Sequence, residues 1–195
     1  KASVSRTAPA PLLFKGNVSG SKISFRRRLD GGYSVASSDY LEVFPSMAHL
    51  QFLPDFLPLM KTSWRKLRFR FPELTVDGNF TRHRTLNPIP SAKTITRIRS
   101  RLVDRVPAFL GMQLVETWSG MIDALPDVVP VLDQAEPIEG LWISTGFSGH
   151  GFGIGPGAGK IMANLIQGNQ VDYDLNRFRL ARFSDGSKLE LGPAI

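Results

Sequence analysis

Along most of this chain apolar and polar residues alternate over short runs, the period of strands with one covered face. The stretch "SVSRTAPAP" reads as a strand entering a proline-rich connection. "KISFRRRLDGGYSVAS" reads as two strands around Asp30-Gly31-Gly32, a strong hairpin signal. In "KLRFRFPELTV", Leu67, Phe69 and Phe71 alternate with Arg68 and Arg70. "MQLVETWSGM", "DVVPVLD" and "EGLWISTGF" add three extended runs, and the tail "NRFRLARFSDGSKLELG" is expected to be extended with a turn at Asp185-Gly186.

Helical spacing appears in three places. "FPSMAHLQFLPDFLPLMKTSW" puts Leu50, Leu53, Leu57 and Met60 on one side, with Pro54 and Pro58 expected to break or kink it. "NPIPSAKTITRIRSRLVDRV" has Ser91 as an N-cap and an apolar stripe of Ile95, Ile98 and Leu102. "GAGKIMANLIQG" offers Ile161, Leu165 and Ile166 as a buried face, with Gly168 to end the helix. Antiparallel runs with interspersed helices indicate an α+β fold rather than a doubly wound parallel sheet.

Composition narrows the chemistry. The 195 residues are 42% hydrophobic with 13 Phe, enough for a real core. There is no cysteine, which removes disulfides, thiolate metal sites and thiol nucleophiles. His49, His83 and His150 lack the close spacing of a metal-binding helix, so no metal is expected. No signal-peptide pattern and no membrane-length apolar run occur, so a cytoplasmic protein is the expectation. The net charge of +7 is clumped, as in "FRRRLD" and "RIRSRLVDR", which raises nucleic acid as a partner. No nucleic-acid motif accompanies the clusters, and solvated basic faces with sites for small anions are the preferred reading.

The densest signal is "GFSGHGFGIGPGAGK", with glycine at 146, 149, 151, 153, 155, 157 and 159. Each glycine costs backbone entropy, so the cluster implies close backbone approach or repeated positive φ. A phosphate-binding loop fails, because Ile154 stands where its first glycine is needed and Ile161 where its hydroxyl is needed. Gly153, Gly155 and Ala158 fit a loose dinucleotide fingerprint, but too far from the strand "LWIST" for the tight turn required. What survives is a glycine-lined loop bringing bare N–H groups and a helix start against an anionic or electron-rich ligand. A flavin is one such ligand among several.

"GLWISTGFSGHGFGIGPGAGKIMANLIQG" resembles the C-terminal motif of FAD-dependent oxidoreductases of the D-amino-acid oxidase type, which includes glycine and sarcosine oxidases and D-amino-acid dehydrogenases. "VETWSGMIDALPDVVPVLD" resembles a second segment of that family, with Trp118, Gly120, Pro126, Asp127 and Pro130 in register. "FRRRLDGGYSVA" and "HRTLNPIPS" are similar to its substrate-sheet hairpin and to a connection into the next helix. The resemblance implies a substrate-binding α+β domain over residues 1–134 and a C-terminal FAD-binding segment over 135–195. It also implies FAD as cofactor and an N-terminal FAD-binding half or subunit as partner, with no nucleic acid and no membrane span. The start at Lys1 without a methionine agrees with a processed or partial polypeptide.

By the same resemblance, the reaction is oxidation of an amine C–N bond, with hydride passing to FAD. Gly146, Phe147, Ser148, Gly149, His150, Gly151, Phe152, Gly153, Ile154 and Gly155 become cofactor-binding candidates. The N–H groups of Gly153, Ile154 and Gly155 are expected at the flavin's pyrimidine edge. His150 is the candidate catalytic residue, against a role in bonding the loop to itself, while Phe147 and Phe152 are read as core packing. Trp118 is a candidate substrate contact, set against a purely structural role. Many relatives continue Trp-x-Gly with Leu-Arg-Pro, whose arginine holds the substrate carboxylate. Here the chain reads Met121-Ile122-Asp123, leaving Arg82 or Arg84 as the substitute anchor. A non-catalytic flavoprotein subunit and a basic nucleic-acid-binding module are the alternative readings.

Overall fold

The computed structural model describes residues 1–38, 41–44, 52–70, 87–136 and 138–192. Contacts divide the chain into two units, Lys1–Leu50 with Trp64–Met121, and Gln51–Ser63 with Ile122–Ile195. The boundary expected between residues 134 and 135 falls between a pair of strands that bond to each other within the second unit.

In the first unit, β1 (Ala2–Thr7), β2 (Asn17–Ser19), β3 (Ile23–Arg27), β4 (Tyr33–Ser37) and β7 (Leu114–Gly120) form an antiparallel sheet in the order β2-β3-β4-β1-β7. The β3–β4 hairpin turns at Asp30-Gly31-Gly32 as expected, with Gly31 at φ 81°. There the Gly32 N–H and the Arg28 guanidinium bond the Asp30 carboxylate and hold its pKa below the usual range. Helix α2 (Ala92–Arg105) covers one face of the sheet and is capped by Ser91, whose side chain accepts from the Thr94 N–H. Ile98 and Leu102 bury as predicted, but Thr94 takes the third buried place rather than Ile95. They pack with Ile23, Phe25, Tyr33, Val35 and Phe109, where three aromatic rings meet edge to face.

Strand β1, between β4 and β7, turns its polar residues inward. Ser3, Ser5 and Thr7 are buried, and burying a hydroxyl is costly unless it is bonded. Each finds a partner: Ser3 with Ser119 at 2.6 Å, Ser5 with Thr117 at 2.9 Å, and Thr7 with the Tyr33 N–H at 2.9 Å. The opposite face carries Val4 beside Trp118, which is 40% exposed. A separate parallel pair joins β5 (Leu41–Val43) to β6 (Leu67–Phe69).

In the second unit, α1 (Leu53–Ser63) runs through Pro58 rather than stopping there. Pro54 sits in the first turn, where its missing N–H has no intrahelical partner to lose. Strands β8 (Val131–Gln134) and β9 (Trp142–Thr145) pair antiparallel, and α3 (Gly151–Ile166) packs Ala158 and Met162 on Leu132. Ile161 and Leu165 join this cluster, whereas Ile166 is 57% exposed, contrary to expectation. Gly168 ends the helix at φ 69°, its N–H bonded to the Leu165 carbonyl.

The tail is not a strand. Residues Asn176–Phe178 and Leu180–Phe183 form 3₁₀ turns held by tertiary contacts. The Leu180 N–H donates to Asp133 at 2.8 Å, and Arg182 is buried against Asp127.

Candidate functional site

The glycine-rich stretch divides into a short loop and a helix. The loop Gly146–His150 joins β9 to α3, and helical geometry begins at Gly151. Gly153, Gly155 and Ala158 therefore lie inside a helix preceded by an antiparallel strand pair, which excludes the dinucleotide turn for a structural reason. Sequence reasoning missed the helix start because glycine disfavours helix by about 1 kcal/mol relative to alanine. Packing of Ala158 and Met162 overrides that local preference.

The loop is tightly determined. Gly146 (φ 74°) and Gly149 (φ 87°) are left-handed, and so is Ser148 (φ 52°), a conformation uncommon without glycine. Ser148 is 1% exposed; its N–H donates to the Asp123 carbonyl at 2.9 Å and its hydroxyl to the Gly146 carbonyl at 3.1 Å. The same hydroxyl accepts from the Leu125 N–H at 3.3 Å. Asp123 accepts from the Gly146 N–H at 2.8 Å and from the Thr145 hydroxyl at 3.0 Å. Segment Ile122–Leu125 is thus the template on which the loop folds. Phe147 packs beneath α3, whereas Phe152 is 100% exposed rather than core.

The donors at the helix start differ from those expected. The N–H groups of Gly153 and Ile154 both bond the His150 carbonyl, at 3.0 and 3.2 Å. Gly155 lies a full turn into the helix. Among the described residues, the N–H groups of Gly149, Gly151 and Phe152 have no backbone acceptor, and these are the unpaired donors of the N-terminus. His150 sits at the N-cap without a side-chain capping bond; its backbone, not its imidazole, ties the loop together.

Beyond the first turn, α3 presents bare backbone. Among the described residues, a Cβ added at Gly153, Gly155, Gly157 or Gly159 would meet nothing within 4 Å; Gly153 and Gly157 share one side of the helix and Gly155 and Gly159 lie on another. The open backbone side at Gly153 and Gly157, beside unpaired N–H donors, fits a flat ring system with an anionic edge.

Trp118 belongs to the first unit, on the sheet face opposite α2. Arg82 and Arg84 lie outside the described residues. Among the described residues no group of three or more His, Cys, Asp or Glu could hold a metal, and no helix is long and apolar enough to cross a membrane.

A family model described as FAD dependent oxidoreductase matches residues 2–165. The chain belongs to the FAD-dependent oxidoreductase family. Glycine oxidase of Pseudomonas aeruginosa is 25% identical over 123 residues, covering 62% of this chain and 33% of that protein. Peroxisomal sarcosine oxidase of Mus musculus is 42% identical over 66 residues, 34% of this chain and 17% of that enzyme. In fold, the chain matches L-amino acid deaminase from Proteus vulgaris with a TM-score of 0.84 and 22% identity, over 93% of this chain and 45% of that one. The chain thus spans less than half the length of each of these relatives. FAD is the cofactor of the family, and the α+β fold with its antiparallel sheet agrees with the expectation. Nothing in these matches supports the nucleic-acid reading.

The residue that sequence reasoning missed is Arg182. Its guanidinium bonds both Asp127 oxygens at 2.7 and 3.2 Å, with further bonds to the carbonyls of Val129 and Arg179. The motif aspartate therefore has a structural partner 55 residues away. The only signal for it was an arginine between apolar neighbours in "LARF".

Proposed function

We propose that this chain supplies the substrate-side sheet and the flavin-facing loop and helix of an enzyme oxidising the C–N bond of an amino acid or secondary amine. The observation carrying this reading is the uncovered side of α3 at Gly153 and Gly157, adjoining the unpaired N–H groups of Gly149, Gly151 and Phe152. FAD, when bound, accepts the hydride from the carbon beside the amine nitrogen. The chain's role is orientation and electrostatics. The α3 N-terminus and its free donors stabilise negative charge at the ring edge, and the glycine face lets backbone lie against the ring. The His150 imidazole, without a capping bond, is available to the substrate or the ring edge. Trp118 offers an exposed aromatic surface for the substrate's apolar portion, and Arg82 or Arg84 would meet its carboxylate. The rest of the FAD site would come from a nucleotide-binding portion, since the glycine oxidase of Pseudomonas aeruginosa is about three times the matched length.

The test is flavin release from the purified intact protein on denaturation, followed by anaerobic mixing with a panel of primary and secondary amines. Released FAD whose absorbance bleaches with at least one amine is the expected result. Bound FAD that no amine reduces would favour the non-catalytic subunit, and no FAD at all would contradict the reading.

A further inference from the structure

Asp123 is an exposed residue with an unusual set of bonds for a surface carboxylate. Its Oδ2 accepts from both the Gly146 N–H and the Thr145 hydroxyl, and its carbonyl accepts from the Ser148 N–H. It thus holds Thr145, Gly146 and Ser148, the anchoring points at which the chain leaves β9 and enters the left-handed loop. Among the described residues no cation lies within ion-pair distance of it, so within the described chain its charge meets only these donors. A carboxylate accepting a backbone N–H makes a short, charge-assisted bond with strong directional preference.

We infer that Asp123 is a positioning residue. It fixes the Thr145–Ser148 loop and, through it, the start of α3 for the flavin, and its negative charge sets the ease with which that flavin is reduced. The inference rests on the reading of the loop as flavin-facing. The Asp123 side chain fixes the left-handed turn at Gly146, while the Asp123 carbonyl takes the N–H of Ser148, which occupies a region that non-glycine residues rarely adopt and that persists only where its surroundings determine it. The bonds inside the loop run from the Ser148 hydroxyl to the Gly146 carbonyl and from the His150 N–H to the Phe147 carbonyl, and they leave the Gly146 N–H to Asp123. A fixed negative charge beside the helix start also opposes charge uptake by a bound ring, so its removal favours the reduced form.

Two variants of the intact protein separate these roles. Asp123→Ala removes the carboxylate oxygen that accepts both side-chain bonds, and the charge, and leaves the carbonyl bond to the Ser148 N–H, while Asp123→Asn keeps an acceptor oxygen for the Gly146 N–H and removes only the charge. Amide hydrogen exchange at Gly146 and Ser148 reads the clamp without any flavin. FAD dissociation and the two-electron potential of bound FAD read its consequence. In Asp123→Ala, exchange at Gly146 is expected to accelerate about tenfold or more, and the FAD dissociation constant to rise about tenfold, the loss expected for a bond to a charged group. Asp123→Asn should restore both to within about threefold of the parent, a rescue that follows from its retained acceptor. Both variants should favour reduced FAD by roughly threefold to tenfold in the two-electron equilibrium, the tenfold limit being about 30 mV in the positive direction. Unchanged exchange at Gly146 in Asp123→Ala would overturn the inference. Faster exchange with unaltered FAD affinity and potential would keep the clamp but overturn the flavin-facing reading of the loop. Should Asp123→Ala not fold, the potential of Asp123→Asn decides: a positive shift supports the inference, and an unchanged potential overturns it.

Discussion

Replacing Asp127 by alanine is expected to destabilise the second unit by about 3–5 kcal/mol, the cost of leaving a buried charge without its partner. Arg182 is 4% exposed and Asp127 3%, so the truncation leaves a guanidinium largely shielded from solvent. The Asp127 side chain also accepts from the Val129 N–H at 3.1 Å, and its carbonyl accepts from the Gly192 N–H at 2.7 Å. The pair therefore organises both the Leu125–Val131 segment and the C-terminal tail. Arg182→Lys should cost nearly as much, because an ammonium cannot bond both carboxylate oxygens and two carbonyls in one plane. An apolar double variant, Asp127→Leu with Arg182→Met, is expected to be less damaging than either single truncation. Urea midpoints give the energies, and limited proteolysis between Gly168 and Gly192 reports release of the tail. Single variants within about 0.5 kcal/mol of the parent, as for ordinary surface changes, would show that the pair is not structural.

The second large effect is expected at Gly146. At φ 74° any side chain is strained, and an added Cβ would collide with the Leu125 side chain. Left-handed strain of about 1–2 kcal/mol adds to about 1–3 kcal/mol for overpacking. Gly146→Ala should therefore lose about 2–5 kcal/mol, the sum of those two ranges. Because one neighbour causes the steric part, Leu125→Ala in the same chain should recover some of it. A double-mutant cycle in urea then gives a coupling energy of about 0.5–3 kcal/mol. Strict additivity would mean that the backbone, not Leu125, makes glycine necessary here.

These two sites illustrate what was legible in the sequence. Local signals read correctly: the Asp30-Gly31-Gly32 hairpin, the Ser91 cap and the Gly168 stop each depend on residues a few positions apart. Polar residues turned inward were not legible, since Ser3, Ser5 and Thr7 find partners on strands distant in sequence. The tail's alternation suggested a strand, but Asp133 and Asp127 capture Leu180 and Arg182 and wind it into turns. At the candidate site, the cluster of glycines was visible while the role of each was not. Gly146 answers to Leu125, whereas Gly153, Gly155, Gly157 and Gly159 answer to nothing among the described residues. Asp123 stood out in the sequence only as a departure from the Leu-Arg-Pro pattern. Its bonds to Gly146 and Thr145 give it a positive role.

That contrast among the glycines leads to the most direct test. A Cβ at Gly153 meets no atom of the described residues within 4 Å, so Gly153→Asp is not expected to disturb folding beyond a small helix-propensity change. It would bring a carboxylate against whatever lies on the open face of α3. The measurement is the FAD-to-protein ratio of the purified intact Gly153→Asp variant, with its circular dichroism and thermal transition matched to the parent. The account predicts a normally folded protein that retains no FAD. A normally folded variant with the parent's full FAD content would contradict it.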